Sequence, residues 1–111
     1  MPVFDLATIE PKTIVAGYDA KFVHTEGMTF SFLEVKAGAS LPAHSHVHEQ
    51  VSQILEGTFQ LIIDGEKIVF GPGTLVVIPS NAVHEGLAIT DCKIMDVFNP
   101  VREDYRNLSS K

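Results

Sequence analysis

The stretch Leu41-Pro42-Ala43-His44-Ser45-His46-Val47-His48-Glu49-Gln50 carries three of the chain's five histidines at alternate positions. On an extended strand alternate residues share one face, so His44, His46, His48 and Gln50 point together and Glu49 points away. Imidazoles spaced in this way can hold one borderline metal ion through ring nitrogens at roughly 2.0–2.1 Å, whereas a helix would need three- or four-residue spacing. The plain alternative is a surface strand whose histidines are stacked by chance. Against it stand the flanking Gly38 and Gly57 and the distant His84. His24, between Val23 and Thr25, reads as a structural or surface histidine.

Outward from this stretch the chain shows almost no 3.6-residue period and many short β-branched or aromatic runs. The runs are Lys12 to Ala16, Lys21 to Thr25, Met28 to Val35, Gln50 to Leu55, Thr58 to Asp64, Lys67 to Phe70, Thr74 to Ile78 and Lys93 to Phe98. Gly and Pro punctuate them, as at Ala37-Gly38, Glu56-Gly57 and Gly71-Pro72-Gly73. Asp64-Gly65 is the clearest hairpin signal, because a type I′ turn needs positive φ at both central residues. The pattern predicts an all-β sandwich or barrel. It shows no repeat, linker or low-complexity stretch, so residues 1–111 read as a single domain. Glu103 to Lys111 is polar enough for a short helix or a frayed tail.

Composition limits the functions available. A chain of 111 residues, 45 % hydrophobic and 20 % charged, has ordinary globular usage and length for one core. Its formal charge of -6, from 14 acidic and 8 basic side chains, repels polyanions, and no Lys/Arg cluster compensates locally, so no nucleic-acid partner is expected. No apolar run nears the roughly 20 residues of a membrane-spanning helix, so no membrane partner is expected either. Cys92 is the single cysteine and has no intramolecular disulfide partner. Met1 opens a segment without the basic and apolar regions of a secretion signal. A cytoplasmic protein is expected.

Two spaced motifs give the chain a family resemblance. Gly38, five residues, His44, Ser45, His46, three residues, Gln50, six residues, Gly57 resembles the first motif of the cupins; Gly73, five residues, Pro79, one residue, Asn81, two residues, His84 resembles the second. The resemblance implies an antiparallel jelly-roll barrel, with six to eight strands in each layer and one divalent transition metal inside, bound by His44, His46, Gln50 and His84. Nickel, zinc, iron and manganese all tolerate such ligands. Three positions depart from the pattern: Gln50 replaces the usual glutamate, Asn81 a glycine and Ala88 an asparagine. Asn81 can adopt the left-handed conformation that glycine supplies. Gln50 changes the chemistry, because an amide oxygen leaves the ion its full charge, which favours Lewis-acid work on an anionic oxygen over stabilising a high oxidation state. Glu49 is the alternative ligand, and its opposite parity argues against it.

A second constellation lies in Ile94-Met95-Asp96-Val97-Phe98-Asn99-Pro100-Val101-Arg102-Glu103-Asp104-Tyr105. Asp96 interrupts an apolar strand on the face of Ile94 and Phe98, where a carboxylate is costly unless paired or hydrogen-bonded. One reading is an Asp96–Arg102 ion pair or a subunit contact. The other makes Asp96 a general acid or base facing the metal, Phe98 an apolar wall and Arg102 a fork for a substrate carboxylate. Together with the histidine stretch, this segment resembles the small cupins of the KdgF family. That resemblance implies conversion of 4,5-unsaturated uronates, released by pectate or alginate lyases, to linear keto acids, with Asp96, Phe98 and Arg102 on the substrate side. The other functions open to the sequence are a different metal-dependent cupin enzyme, a dioxygenase or lyase on a small carboxylate, and a non-catalytic small-molecule-binding module. Exposed sheet edges and the cupin resemblance predict a homodimer.

Overall fold

The computed structural model describes residues 2–109; Met1, Ser110 and Lys111, which belong to the expected N-terminus and C-terminal tail, lie outside it. Ten strands form two antiparallel sheets. They are β1 (Lys12–Val15), β2 (Tyr18–His24), β3 (Thr29–Val35), β4 (Ser40–His44), β5 (Glu49–Glu56), β6 (Phe59–Ile63), β7 (Glu66–Phe70), β8 (Leu75–Ile78), β9 (His84–Ala88) and β10 (Cys92–Asn99), followed by helix α1 (Glu103–Ser109). The six-stranded sheet has the order β1-β2-β3-β10-β5-β8 and the four-stranded sheet β4-β9-β6-β7. The jelly roll is therefore as expected, but its layers hold six and four strands among the described residues, not six to eight each. No helix among those residues is long and apolar enough to cross a membrane.

Local chemistry accounts for the turns. Asp64 and Gly65 have φ of 47° and 83°, the two positive values of a type I′ hairpin, and they join Ile63 to Glu66 across β6 and β7. Asn81, in the place of a glycine, has φ of 67°.

Two strands escaped the sequence reading. β4 contains Pro42 and polar residues, and it forms because it is an edge strand, where a missing N–H costs no ladder bond. β9, His-Glu-Gly-Leu-Ala, has little intrinsic β preference and is held between β4 and β6. Gly86 is required there, since a Cβ would stand 2.7 Å from Phe59 Cζ. β2 also begins at Tyr18, three residues before the expected start, because Tyr18 pairs with Val35.

The expected single strand through His44 and Gln50 is a crossing between sheets. β4 ends at His44, residues 45–48 form a turn, and β5 starts at Glu49 in the opposite layer. The alternation of burial survives the break: His44, His46 and His48 are half-buried, Gln50 is buried, and Ser45, Val47 and Glu49 are exposed. The crossing is pinned by the second motif, with Ser80 Oγ donating to the Val47 carbonyl at 2.6 Å and Asn81 N–H to the His46 carbonyl at 2.8 Å.

The apolar core, including Tyr18, Ala20, Leu33, Ile54, Phe59 and Ile94, fills one end of the space between the layers. Gly57 closes that end with φ of +94°, and a Cβ there would lie 2.8 Å from Thr90 Oγ1 and 2.9 Å from Cys92 Sγ. Gly38 has a similar φ of +83° but open space around it. Gly38→Ala is therefore expected to cost about 1 kcal/mol, the left-handed penalty alone. Gly57→Ala adds backbone and side-chain overlap and is expected to cost at least about 3 kcal/mol. Urea unfolding midpoints compare the two, and equal losses would remove the close-approach argument.

Candidate metal centre

Three separate elements bring the histidines together. The β4–β9 pairing is irregular between Leu41 and His44, and the shift sets His44 directly opposite His84. Their ring centroids are 4.2 Å apart. His46 rises from the crossing turn, its centroid 4.9 Å from that of His84 and 5.7 Å from that of His44. One ligand atom from each of the three lies within 4.8 Å of the others, near the spread of up to about 4.2 Å that ligands at roughly 2.1 Å from one ion adopt.

The backbone selects the tautomers. His44 Nδ1 is 2.8 Å from the Pro42 carbonyl, His46 Nδ1 2.9 Å from the His48 carbonyl, and His84 Nδ1 2.9 Å from the Ala82 carbonyl. A carbonyl only accepts, so each Nδ1 carries the proton and each Nε2 presents a lone pair. His84 Nε2 is buried without a hydrogen-bond partner. His46 Nε2 lies 3.1 Å from Gln50 Oε1, two acceptors facing each other with no proton between them. The Gln50 amide donates to Asp96, which turns its oxygen toward the rings. Burial, reinforced by the Arg102 guanidinium and opposed by the His48 carbonyl, pushes the His46 imidazole down to about 4. Burial also lowers His84. Neutral imidazole lone pairs beside an amide oxygen fit a divalent transition metal.

Of the sequence candidates, His44, His46, Gln50 and His84 converge here. His48 contributes its carbonyl, while its ring stays outside the three-histidine group. Glu49 is exposed, pointing away from Gln50. His24 is structural: its Nδ1 lies 2.8 Å from Thr29 Oγ1.

Asp96, Phe98 and Arg102 line the same cavity as His44, Gln50 and His84. Burial pushes the Asp96 carboxyl up to about 6, against hydrogen bonds from Ser52 and Gln50 and the charge of Arg102, which favour the anion. Asp96 Oδ1 and the neighbouring Ser31 Oγ are buried without partners. Phe98 stands edge-on to His46, centroids 5.7 Å apart. Arg102 pairs with Asp104 and not with Asp96, through Nε–Oδ1 at 3.2 Å and Nη2–Oδ2 at 2.7 Å. Its guanidinium carbon lies 3.8 Å from the Tyr105 ring centroid and 4.9 Å from that of Phe98. The edge of Arg102 expected to grip a ligand is thus in use within the chain. The enclosed space is about 40 Å³, room for two or three waters.

Residues 31–98 match the family described as Cupin domain. The chain belongs to the cupin family. Small cupins are among the proteins it resembles. A stretch of 70 residues is 29 % identical to the pectin degradation protein KdgF of Dickeya dadantii (strain 3937), covering 61 % of this chain and 64 % of that protein, so the match spans less than two-thirds of the relative's length. The structure of KdgF from Halomonas sp. superimposes with a TM-score of 0.88 at 26 % identity, covering 95 % of this chain and 98 % of that one. An RmlC-like cupin from Shewanella frigidimarina NCIMB 400 gives a TM-score of 0.84 at 27 % identity, covering 89 % of this chain and 90 % of that one.

Ser31, Ser52, Tyr18 and Tyr105 also line the cavity and were not singled out in the sequence. The serines carry a readable signal, since each occupies an inward position on a strand, Ser31 between Phe30 and Phe32 and Ser52 between Val51 and Gln53. Tyr105 carries none, because only the return of α1 places it over Phe22, at a centroid distance of 4.7 Å. The geometry separates His84 from His48. His84→Ala is expected to weaken zinc or nickel binding at least about 100-fold. His48→Ala keeps the carbonyl that orients His46 and should change binding only a few-fold. Calorimetric titration of the metal-free protein compares them, and equal losses would mean that the centre is misassigned.

Proposed function

We propose that this cupin is a metal-dependent enzyme that opens 4,5-unsaturated uronates, from pectin or alginate breakdown, into linear keto acids. The observation that carries the reading is Asp96, a buried carboxyl that lines the same cavity as His44 and His84, in a chain similar along nearly its whole length to a KdgF structure. His44, His46, His84 and Gln50 would hold the metal. When bound, a divalent ion with four neutral ligands supplies undiminished Lewis-acid charge for the oxygens of an acidic sugar.

The reaction is an isomerisation in which one carboxyl can serve twice. The anomeric hydroxyl gives its proton to the carboxylate, the bond between the anomeric carbon and the ring oxygen breaks to leave an aldehyde and an enolate, and the carboxyl returns that proton to the enolate carbon to give a ketone. Asp96, pushed up to about 6, is matched to taking and returning a proton near neutral pH. Ser52 and Gln50 hold its carboxyl in place, and the unpartnered Oδ1 is the atom free to work. Phe98 forms the apolar wall beside His46.

Arg102 supplies the charge that draws an anion into a protein of net charge -6. The side chain of Asp104, 57 % exposed, stands where a substrate carboxylate would bind, and an incoming carboxylate takes over its two hydrogen bonds. A sugar is larger than the enclosed space, so binding also moves Tyr105, the residue that α1 lays over the cavity.

The test is incubation of metal-loaded protein with unsaturated galacturonate and guluronate, following loss of the enol-ether absorbance. Asp96→Asn is expected to lower the rate at least about 100-fold with metal content unchanged, and full activity in that variant would take Asp96 out of the mechanism. Oxygen consumption with another small carboxylate would instead identify a dioxygenase, and binding without turnover a non-catalytic module. Arg102→Lys is expected to raise KM about tenfold with kcat little altered, because a point charge replaces the fork. An unchanged KM would remove Arg102 from substrate binding.

A further inference from the structure

Asp96 stands between two serines in register. On the inner face of the six-stranded sheet one row runs Phe22–Ser31–Asp96–Ser52–Val76 across β2, β3, β10, β5 and β8. The row on one side, Thr29–Phe98–Gln50, adjoins His46 through Phe98 and Gln50. The row on the other side, Ala20–Leu33–Ile94–Ile54, belongs to the apolar core. The two serines hold matching places beside the carboxyl, yet they are used differently. Ser52 donates to Asp96, as does the Gln50 amide. Ser31, only 1 % exposed, does not: its Oγ is buried without a partner, and so is Asp96 Oδ1. Both residues line the cavity shared with His44, His84 and Arg102. A buried hydroxyl with nothing to bond is worse for stability than the methyl group of alanine, which fits the same place on a strand.

We propose that Ser31 Oγ and Asp96 Oδ1 form a subsite for one hydroxyl group of a ring-sized hydroxy acid, and that Ser31 selects ligands that carry this hydroxyl. A hydroxyl donates its hydrogen to the carboxylate and accepts from Ser31 through a lone pair, which satisfies both oxygens at once. Other groups fit less well. A carboxylate would meet the Asp96 anion. An ammonium offers Ser31 no acceptor and meets the Arg102 guanidinium in the same cavity, and an apolar group leaves both oxygens bare.

Placement along the barrel gives the ligand a direction. Arg102 lies over Phe98, its guanidinium carbon 4.9 Å from the ring centroid, and its backbone N–H donates to Thr29 Oγ1 at 2.9 Å. Thr29 and Phe98 share the row on the histidine side, so Arg102 is anchored one row from Ser31 and Asp96, about 7 Å along the strands. A six-membered ring bearing a carboxylate and a hydroxyl bridges such a separation, with its carboxylate at Arg102 and its hydroxyl at Ser31. On the far side the next row is apolar, and the Tyr18 hydroxyl donates to the Ala39 carbonyl at 3.1 Å, so it has no hydrogen left for a ligand.

The inference deepens the uronate reading and rests on it for the identity of the reacting group: the hydroxyl held by Ser31 is the anomeric one whose proton Asp96 takes. Ser31 keeps a hydrogen bond on that oxygen and transfers no proton itself. Calorimetric titration of the metal-loaded protein uses two probes, D-galacturonate, a ring acid with hydroxyls, and cyclohexanecarboxylate, a ring acid of similar size with none. Ser31→Ala is expected to weaken galacturonate binding about tenfold and to change cyclohexanecarboxylate binding less than about twofold, with metal content unchanged and a urea midpoint no lower than that of the wild type. It should also lower kcat/KM for unsaturated galacturonate at least about tenfold. A serine that only supported the fold would lower the midpoint and weaken both probes alike. That result would overturn the subsite, as would galacturonate binding that is unchanged in Ser31→Ala or absent in the wild type. Galacturonate binding that depends on Ser31, in a protein that leaves unsaturated uronates unopened, would support the subsite and remove the reaction alone.

Discussion

Burying Asp96 is the constraint on which the rest of the structure depends. A carboxyl on the inner face of a central strand needs polar neighbours, and Gln50 and Ser52 on β5 provide them. Ser31 lies beside it on β3. Each of those residues gives up a place that a core side chain would fill. The apolar core is therefore displaced toward the end of the barrel around Ile54, Phe59 and Ile94. The unpartnered Ser31 Oγ, Asp96 Oδ1 and His84 Nε2 each cost about 1–3 kcal/mol in a dry interior. That arrangement is at odds with maximal stability and is the kind of cost that a binding or reaction site imposes.

The same strands carry apolar residues on both faces, with Leu33, Ile54 and Ile94 turned into the core. Beside the cavity, where Ser31, Asp96 and Ser52 point inward, period two turns Phe30, Phe32, Val97 and Val51 to the outside. The polar cavity and the apolar outer face are thus two consequences of one register. A single layer of backbone, on β3, β10 and β5, separates the cavity from that outer face.

The histidine cluster shows how little of a metal centre needs dedicated machinery. Three short hydrogen bonds to nearby carbonyls choose the tautomer of every ring, and one amide, turned by the Asp96 carboxylate, adds the fourth donor. The acidic charge of the whole chain repels an anionic ligand, and in the proposed function the Arg102 guanidinium and a metal with neutral ligands would reverse that field locally. Arg102 is itself held in place by stacking on Phe98 and Tyr105 and by Asp104.

Much of this was legible in the sequence, for physical reasons that are local. The Asp64-Gly65 turn, the strands rich in β-branched residues, the parity of His44, His46 and Gln50, and the inward parity of Asp96 all follow from backbone geometry and side-chain alternation within a few residues. What lay beyond the sequence depends on distant partners. β4 and β9 form because neighbouring strands pair with them, not because Ser-Leu-Pro-Ala-His or His-Glu-Gly-Leu-Ala prefers to be extended. The choice of Asp104 over Asp96 as the partner of Arg102 is made by the turn into α1, and Tyr105 reaches the cavity only because that helix folds back over Phe22. Sequence by itself determined which residues are candidates for metal binding and proton transfer, and the inward parity of Gln50 and Asp96. Only the tertiary structure decided which of them meet, because His44, His46 and His84 converge through a strand pairing and a crossing between sheets that no local preference encodes.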